Sequence, residues 1–255
     1  MAYSPALAHI CAAMSAQVYQ PYFDENTVSV FADPNQAFFS IAKTQVWLVN
    51  EPDRIFIVFR GTSYEDMMTD AKVWRTQTQY GGIHRGFYTY VQNTVDQVEA
   101  TIKGWIESDG PKPIILTGHS LGAAAAVIQA VILHSRGFEI ACVYTFGEPR
   151  VGDSDFVEYA EDAFGDVHYR HVNGLDGVPW VPFWHWGYRH CGRRFYFSTN
   201  RQRLTQDAPL CLCVLERLPI LLKRPWKWVT YKKIDHPVYL YVTGCERNLN
   251  HQIIS

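Results

Sequence analysis

The segment from Ile114 to Leu133 constrains the fold more than any other part of the chain. Ile114-Ile115-Leu116 is a short aliphatic run, Gly118-His119-Ser120-Leu121-Gly122 is a turn bracketed by two glycines, and Leu121 to Leu133 is alanine-rich and apolar. The first reads as a buried strand and the last as a helix buried on most sides. A strand that turns directly into such a helix is the opening of a parallel βαβ unit. Other segments repeat the theme. Arg54-Ile55-Phe56-Ile57-Val58-Phe59, bounded by Pro52-Asp53 and Gly61, predicts a buried strand. From Phe87, apolar residues at Val91, Val95, Val98, Ile102 and Trp105 or Ile106 predict one helix, ended by Asp109-Gly110-Pro111. Ile140 to Phe146 predicts a strand, Asp153 the cap of a helix running through Phe164, and Val167 to Val172 a further strand. The expected class is therefore α/β, with a mostly parallel central sheet covered by helices on both faces. With no internal repeat, low-complexity tract or Gly/Ser linker, residues 1–255 are expected to form one domain.

Composition narrows the function classes. With 23 basic against 25 acidic residues the net charge is −2, which argues against a nucleic-acid partner held on a broad basic face. Aromatic residues at 15% exclude a disordered polymer. The six cysteines (Cys11, Cys142, Cys191, Cys211, Cys213, Cys245) are too few for a disulfide scaffold of this length. They are expected to be buried thiols, although Cys191 is spaced to clip a loop with Cys211 or Cys213. The opening Ser4-Pro5-Ala6-Leu7-Ala8-His9-Ile10-Cys11 lacks the preceding Lys or Arg of a secretory leader and is read as a buried first helix. No run approaches the roughly 18 apolar residues of a membrane span. A soluble chain is expected, with a cytoplasmic location allowed and the compartment left open.

Gly118-His119-Ser120-Leu121-Gly122 matches G-x-S-x-G. Three fixed positions recur by chance in roughly one chain in ten of this length, so the strand–turn–helix context carries the argument. That setting is a nucleophile elbow, in which a tight turn demands small residues at Gly118 and Gly122 and holds Ser120 at a helix N-terminus. Serine needs a base, and the base an orienting acid. Among later histidines, His251 lies near the chain end, His185 in an aromatic cluster, and His190 at the head of an apparent strand (Phe195-Tyr196-Phe197). His236 precedes Pro237, which favours an extended loop that can aim a side chain. Asp176, in the turn Asn173-Gly174-Leu175-Asp176-Gly177 beyond a strand, is the preferred acid; Asp153 suits an N-cap better. A metal site built from His185, His190 and Cys191 lacks paired ligand spacing and is not expected.

These residues belong to a longer series. Val58-Phe59-Arg60-Gly61-Thr62, His84-Arg85-Gly86-Phe87, the elbow, Thr145 to Asp153, Asn173 to Pro179, Gly187-Tyr188-Arg189-His190 and Asp235-His236 follow one another in order. In this the chain resembles the class 3 lipases, the fungal-lipase-like group of α/β-hydrolases. The resemblance implies an α/β-hydrolase fold, a Ser120–Asp176–His236 triad and no cofactor. It also implies an oxyanion hole from Thr62 and the backbone N–H of Leu121. The implied reaction is hydrolysis of carboxylic esters through an acyl-enzyme, with a triacylglycerol or other lipid ester as substrate. A short-chain or hydroxycinnamate esterase is the alternative, followed by a non-enzymatic binding protein or an acyltransferase on the same scaffold.

Three segments bear on the expected transient contact with a lipid interface. Tyr64, Met67 or Met68, Ala71 and Trp74 have the spacing of a short amphipathic lid, although Met67 stands where the family commonly has Trp. Leu210 to Trp228 is apolar and basic, and offers Leu218, Ile220, Leu221, Leu222, Trp226 and Trp228 to a lipid surface or to the hydrolase core. Trp180, Phe183, Trp184 and Trp186 are expected either to line an acyl or aromatic pocket or to be core.

Overall fold

A computed structural model describes residues 2–20, 33–61, 74–174, 176–208 and 236–249. Its centre is an eight-stranded sheet, with β1 (Gln36–Ile41), β2 (Thr44–Asn50), β3 (Ile55–Phe59), β6 (Ile114–His119), β7 (Ile140–Phe146), β8 (His168–Asn173), β9 (Arg193–Phe197) and β10 (Leu204–Gln206) side by side in that order. From β3 to β9 the neighbours run parallel, and antiparallel pairs close both edges. A separate hairpin of β4 (Arg75–Thr78) and β5 (Gly81–His84) stands outside the sheet.

Side-chain alternation divides the core into two layers. Ile55, Ile57 and Phe59 of β3, with Ile114, Leu116 and Val143, pack into one hydrophobic cluster. Phe56, Val58, Ile115, Cys142, Tyr144 and Phe146 pack into the other. Both faces must be apolar because helices cover both. On the first side lie α2 (Arg85–Gln92), α3 (Val95–Asp109), α4 (Leu121–Ser135) and α5 (Ser154–Phe164). On the second lie α1 (Pro5–Gln17) and α6 (Val238–Arg247), which pack on each other. Every residue of α4 from Leu121 to Leu133 is buried, as its composition predicts.

The strands and helices read from periodicity are present, and β4, β5, β10 and α6 are additional to them. The continuous helix expected from Phe87 is two helices broken at Asn93-Thr94, where Thr94 takes φ −130°. Apolar spacing runs across the break because both helices pack on the same layer, so periodicity alone does not register it. β1 and β2 were not legible, because their two-residue turn is Ala42-Lys43. Both residues have positive φ (48° and 71°), a conformation normally announced by Asn or Gly. His190 does not head a strand: β9 begins at Arg193. α1 is capped by Ser4, whose hydroxyl accepts the Leu7 N–H at 3.2 Å. Cys11, Cys142, Cys191 and Cys245 are buried free thiols; Cys211 and Cys213 lie outside the described residues. No described helix is long and apolar enough to cross a membrane.

Asp153 caps α5 as its position suggests, accepting the Phe156 N–H at 3.2 Å and the Gly82 N–H at 3.0 Å. It thereby ties the β4–β5 hairpin to the helix. Asp153→Ala should lower unfolding free energy by about 1–2 kcal/mol while leaving ester turnover near the parent value. Chemical denaturation beside a soluble-ester assay checks both, and a collapse of turnover in a folded variant would contradict the capping role.

Candidate active site

The elbow forms where β6 ends and α4 begins. Ser120 has φ 60° and ψ −126°, a conformation that costs a non-glycine residue on the order of 1–3 kcal/mol. Its neighbours show why the turn admits no bulk. A Cβ on Gly118 would lie 2.2 Å from the Gly122 carbonyl oxygen, and one on Gly122 would lie 2.2 Å from the Phe59 carbonyl oxygen. The strained residue is fastened by its N–H, which donates to the Phe146 carbonyl at 2.9 Å. Leu121 is the first residue of α4, so its N–H is one of those with no partner within the helix. It is therefore placed to meet negative charge developing beside Ser120.

The structure brings Ser120, His236 and Asp176 together. Ser120 Oγ lies 2.8 Å from His236 Nε2, and His236 Nδ1 lies 2.8 Å from Asp176 Oδ2. All three are buried. The same carboxylate oxygen accepts the Tyr241 hydroxyl at 2.6 Å, and Oδ1 accepts the Val178 N–H at 2.8 Å. Burial pushes the Asp176 carboxyl up, but the charge and hydrogen bond of His236, the Tyr241 hydroxyl and the Val178 N–H outweigh it. Its pKa is held below the ordinary value of 3.8. An ionised carboxylate only accepts, so Nδ1 of His236 must carry a proton, which leaves the Nε2 lone pair for the Ser120 hydroxyl.

Asp176 is carried by a braced loop. Its N–H donates to the Asn173 carbonyl at 2.8 Å. The Arg150 guanidinium donates to the carbonyls of Trp180 and Pro182, while its backbone N–H donates to Val181 at 2.9 Å. His190 Nε2 donates to the Pro179 carbonyl at 2.7 Å. His190 is thus a brace for the acid's loop, with no contact to Ser120 in the described bonds. Gly147, at φ 61°, lies against the site, since a Cβ there would be 2.8 Å from Asp176 Oδ2 and 3.2 Å from His236 Cε1.

Three supporting residues escaped sequence reasoning. Tyr241 ties α6 to Asp176 and also accepts the Asn173 N–H at 3.2 Å. His119, the variable residue of the elbow motif, donates from Nε2 to the His236 carbonyl at 2.6 Å and packs against its ring, tilted by 32° at 4.5 Å. Tyr19 donates its hydroxyl to His119 Nδ1 at 3.0 Å. Burial, reinforced by the neighbouring His236, lowers the His119 pKa to about 3, so it stays neutral. The only available signal was the position of His119 inside the motif. Thr62, the lid residues Tyr64 to Ala71, Leu175, the Leu210–Trp228 segment, Asp235 and His251 lie outside the described residues. Among the described residues no group of His, Cys, Asp and Glu could hold a metal ion. Of the two alternatives for Phe183, Trp184 and Trp186, their exposure removes the core one.

Comparison with known proteins gives the same class. The model of the lipase (class 3) family matches residues 56–186, just over half of the chain, and the chain belongs to that family. The lipase of Rhizomucor miehei is 30% identical over 160 residues, covering 60% of this chain and 44% of that protein. Secreted mono- and diacylglycerol lipase 1 of Fusarium solani is 32% identical over 117 residues, covering 46% and 34%. The chain thus spans less than half the length of these relatives. Among solved structures, lipase II from Rhizopus niveus superposes with a TM-score of 0.62 at 25% identity, covering 74% of this chain and 77% of that one. The fold is that of an α/β-hydrolase.

Asp176→Asn, which cannot fix the same His236 tautomer, should reduce kcat on a soluble ester by a factor on the order of 10⁴. Tyr241→Phe leaves the His236 and Val178 donors on the carboxylate and should reduce kcat far less, while lowering stability by about 1.5–3 kcal/mol. Steady-state rates and thermal unfolding separate the two. Equal damage to kcat from both would contradict the division between the acid and its support.

Proposed function

We propose that this chain hydrolyses carboxylic esters as a lipase, with Ser120 as nucleophile, His236 as base and Asp176 as orienting acid. The observation that carries the reading is the unbroken hydrogen-bonded series from Ser120 Oγ through His236 to a buried carboxylate. As Ser120 attacks the ester carbonyl, His236 Nε2 takes the hydroxyl proton and Asp176 stabilises the resulting imidazolium. The oxyanion is held by the Leu121 N–H and, in the family pattern, by Thr62; one such donor is worth about 3 kcal/mol in the transition state. His236 returns its proton to the departing alcohol. Water then attacks the acyl-enzyme, deprotonated by the same imidazole, and releases the acid and free Ser120. The two attacks, by Ser120 and by water, need the neutral Nε2 acceptor that ionised Asp176 enforces, and the two departures need the imidazolium that Asp176 stabilises.

The substrate class proposed is a lipid ester. The lipase names of the relatives support the same substrate class.

Initial rates on p-nitrophenyl esters of increasing acyl length, followed through the solubility limit, test the reading. Ser120→Ala should lower the rate by a factor on the order of 10⁶ without unfolding the chain. A rise in rate as long-chain ester passes its solubility limit is expected. Plain saturation with best rates on acetate would give the soluble-esterase alternative, and persistent turnover by Ser120→Ala would overturn the nucleophile.

A further inference from the structure

A second surface lies on the loops that leave the same edge of the sheet as Ser120. Seven residues beyond Asp176, Phe183-Trp184-His185-Trp186 forms a short 3₁₀ turn. Trp184 is 64% exposed, Trp186 43% and Phe183 41%. The turn is stiff. The Phe183 ring stacks on His185 at 5.4 Å and meets Trp186 edge-on at 5.0 Å. Guanidinium groups hold the backbone from beneath: Arg189 donates to the Trp184 carbonyl at 2.7 Å and Arg75 to the Trp186 carbonyl at 2.8 Å. Gly187 ends the turn at φ 86°, beside the Arg75 guanidinium. Among the described residues nothing accepts from the indole N–H of Trp184 or Trp186. A rigid indole with one apolar end and one free donor suits the boundary between acyl chains and headgroups.

The neighbouring surface is basic. Arg75 also borders a groove of about 560 Å³ lined by Trp74, Arg85, Tyr88 and Thr89, and Trp74 is 69% exposed. Arg85 pairs with no described carboxylate, and among the described residues Arg75 pairs with Asp153 at 3.9 Å. Among the described residues, three guanidinium groups (Arg75, Arg85, Arg189) are therefore accompanied by one paired carboxylate around a cluster of exposed tryptophans. We propose that this face docks on a phospholipid surface bearing anionic headgroups, with Trp184 and Trp186 entering the interface and Arg75 and Arg85 meeting lipid phosphate across the groove. Indole insertion supplies apolar burial, and each arginine near an anionic membrane adds a favourable electrostatic increment. The choice of a lipid occupant rests on the proposed lipase reading, whereas the binding itself does not require catalysis.

The test is co-sedimentation of Ser120→Ala protein with vesicles of phosphatidylcholine alone and of equimolar phosphatidylcholine and phosphatidylserine. Stronger binding to the mixed vesicles is expected. Adding Trp184→Ala with Trp186→Ala should weaken it about tenfold or more. Adding Arg85→Gln should weaken it about fivefold on the mixed vesicles only. In the otherwise native chain these changes should leave p-nitrophenyl acetate turnover unchanged, which also shows that the variants fold. Failure of that turnover in the parent would count against the hydrolase reading; failure of sedimentation would count against this surface. Equal binding to both vesicle types, undiminished binding by the tryptophan variant, or no binding by the parent would each overturn the proposal. So would a dimer that the tryptophan variant dissociates, which would assign the face to a second copy of the chain.

Discussion

A carboxylate with no exposure to water must be kept ionised by the donors around it, and the site depends on how Asp176 meets that condition. Donors from different parts of the chain converge on it, among them the Val178 N–H of its own loop, the Tyr241 hydroxyl of α6 and Nδ1–H of His236. Removing a buried partner leaves an uncompensated charge, so the three are mutually dependent. The arrangement fixes the histidine tautomer, and the tautomer decides whether Ser120 meets a base or a second donor. It also links the helix layers: α6 lies on one face of the sheet and α4, which begins beside Ser120, on the other.

The backbone of Ser120 is restrained as well. At φ 60°, Ser120 keeps an unfavourable conformation because β6, β7 and α4 determine it from three sides. Gly118 and Gly122 permit the close approach that makes this restraint work. His119 connects the two halves. It sits between the strained serine and the His236 carbonyl, and its neutrality lets it act as a donor at one nitrogen and an acceptor at the other.

Much of this was legible in the sequence, for physical reasons that also explain the gaps. β3, β6, β7 and α4 announce themselves because elements buried on both faces or on all sides admit few polar residues. The elbow announces itself because its glycines answer a steric demand that no other residue meets. The β1–β2 hairpin did not, since Ala42-Lys43 adopts a left-handed turn without the residues that normally signal one. The break between α2 and α3 was hidden because the apolar stripe continues through Asn93-Thr94. Tyr241 and Tyr19 act through hydroxyls that meet the site only once distant helices have packed, and no local spacing encodes that. For the tryptophans after Asp176 the sequence left pocket lining and core equally open, because large aromatics serve both. The exposure of Trp184 and Trp186 in the structure makes those two a feature of the surface.

The central claim is that His236, oriented by Asp176, activates Ser120. The most direct measurement is the site and rate of covalent labelling by an alkylphosphonate p-nitrophenyl ester, read by mass spectrometry after proteolysis. The account predicts one phosphonyl adduct, on Ser120, formed with release of p-nitrophenol and slowed by a factor on the order of 10³ or more in a folded His236→Ala variant. An adduct on another residue, or labelling of Ser120 at an undiminished rate without His236, would contradict it.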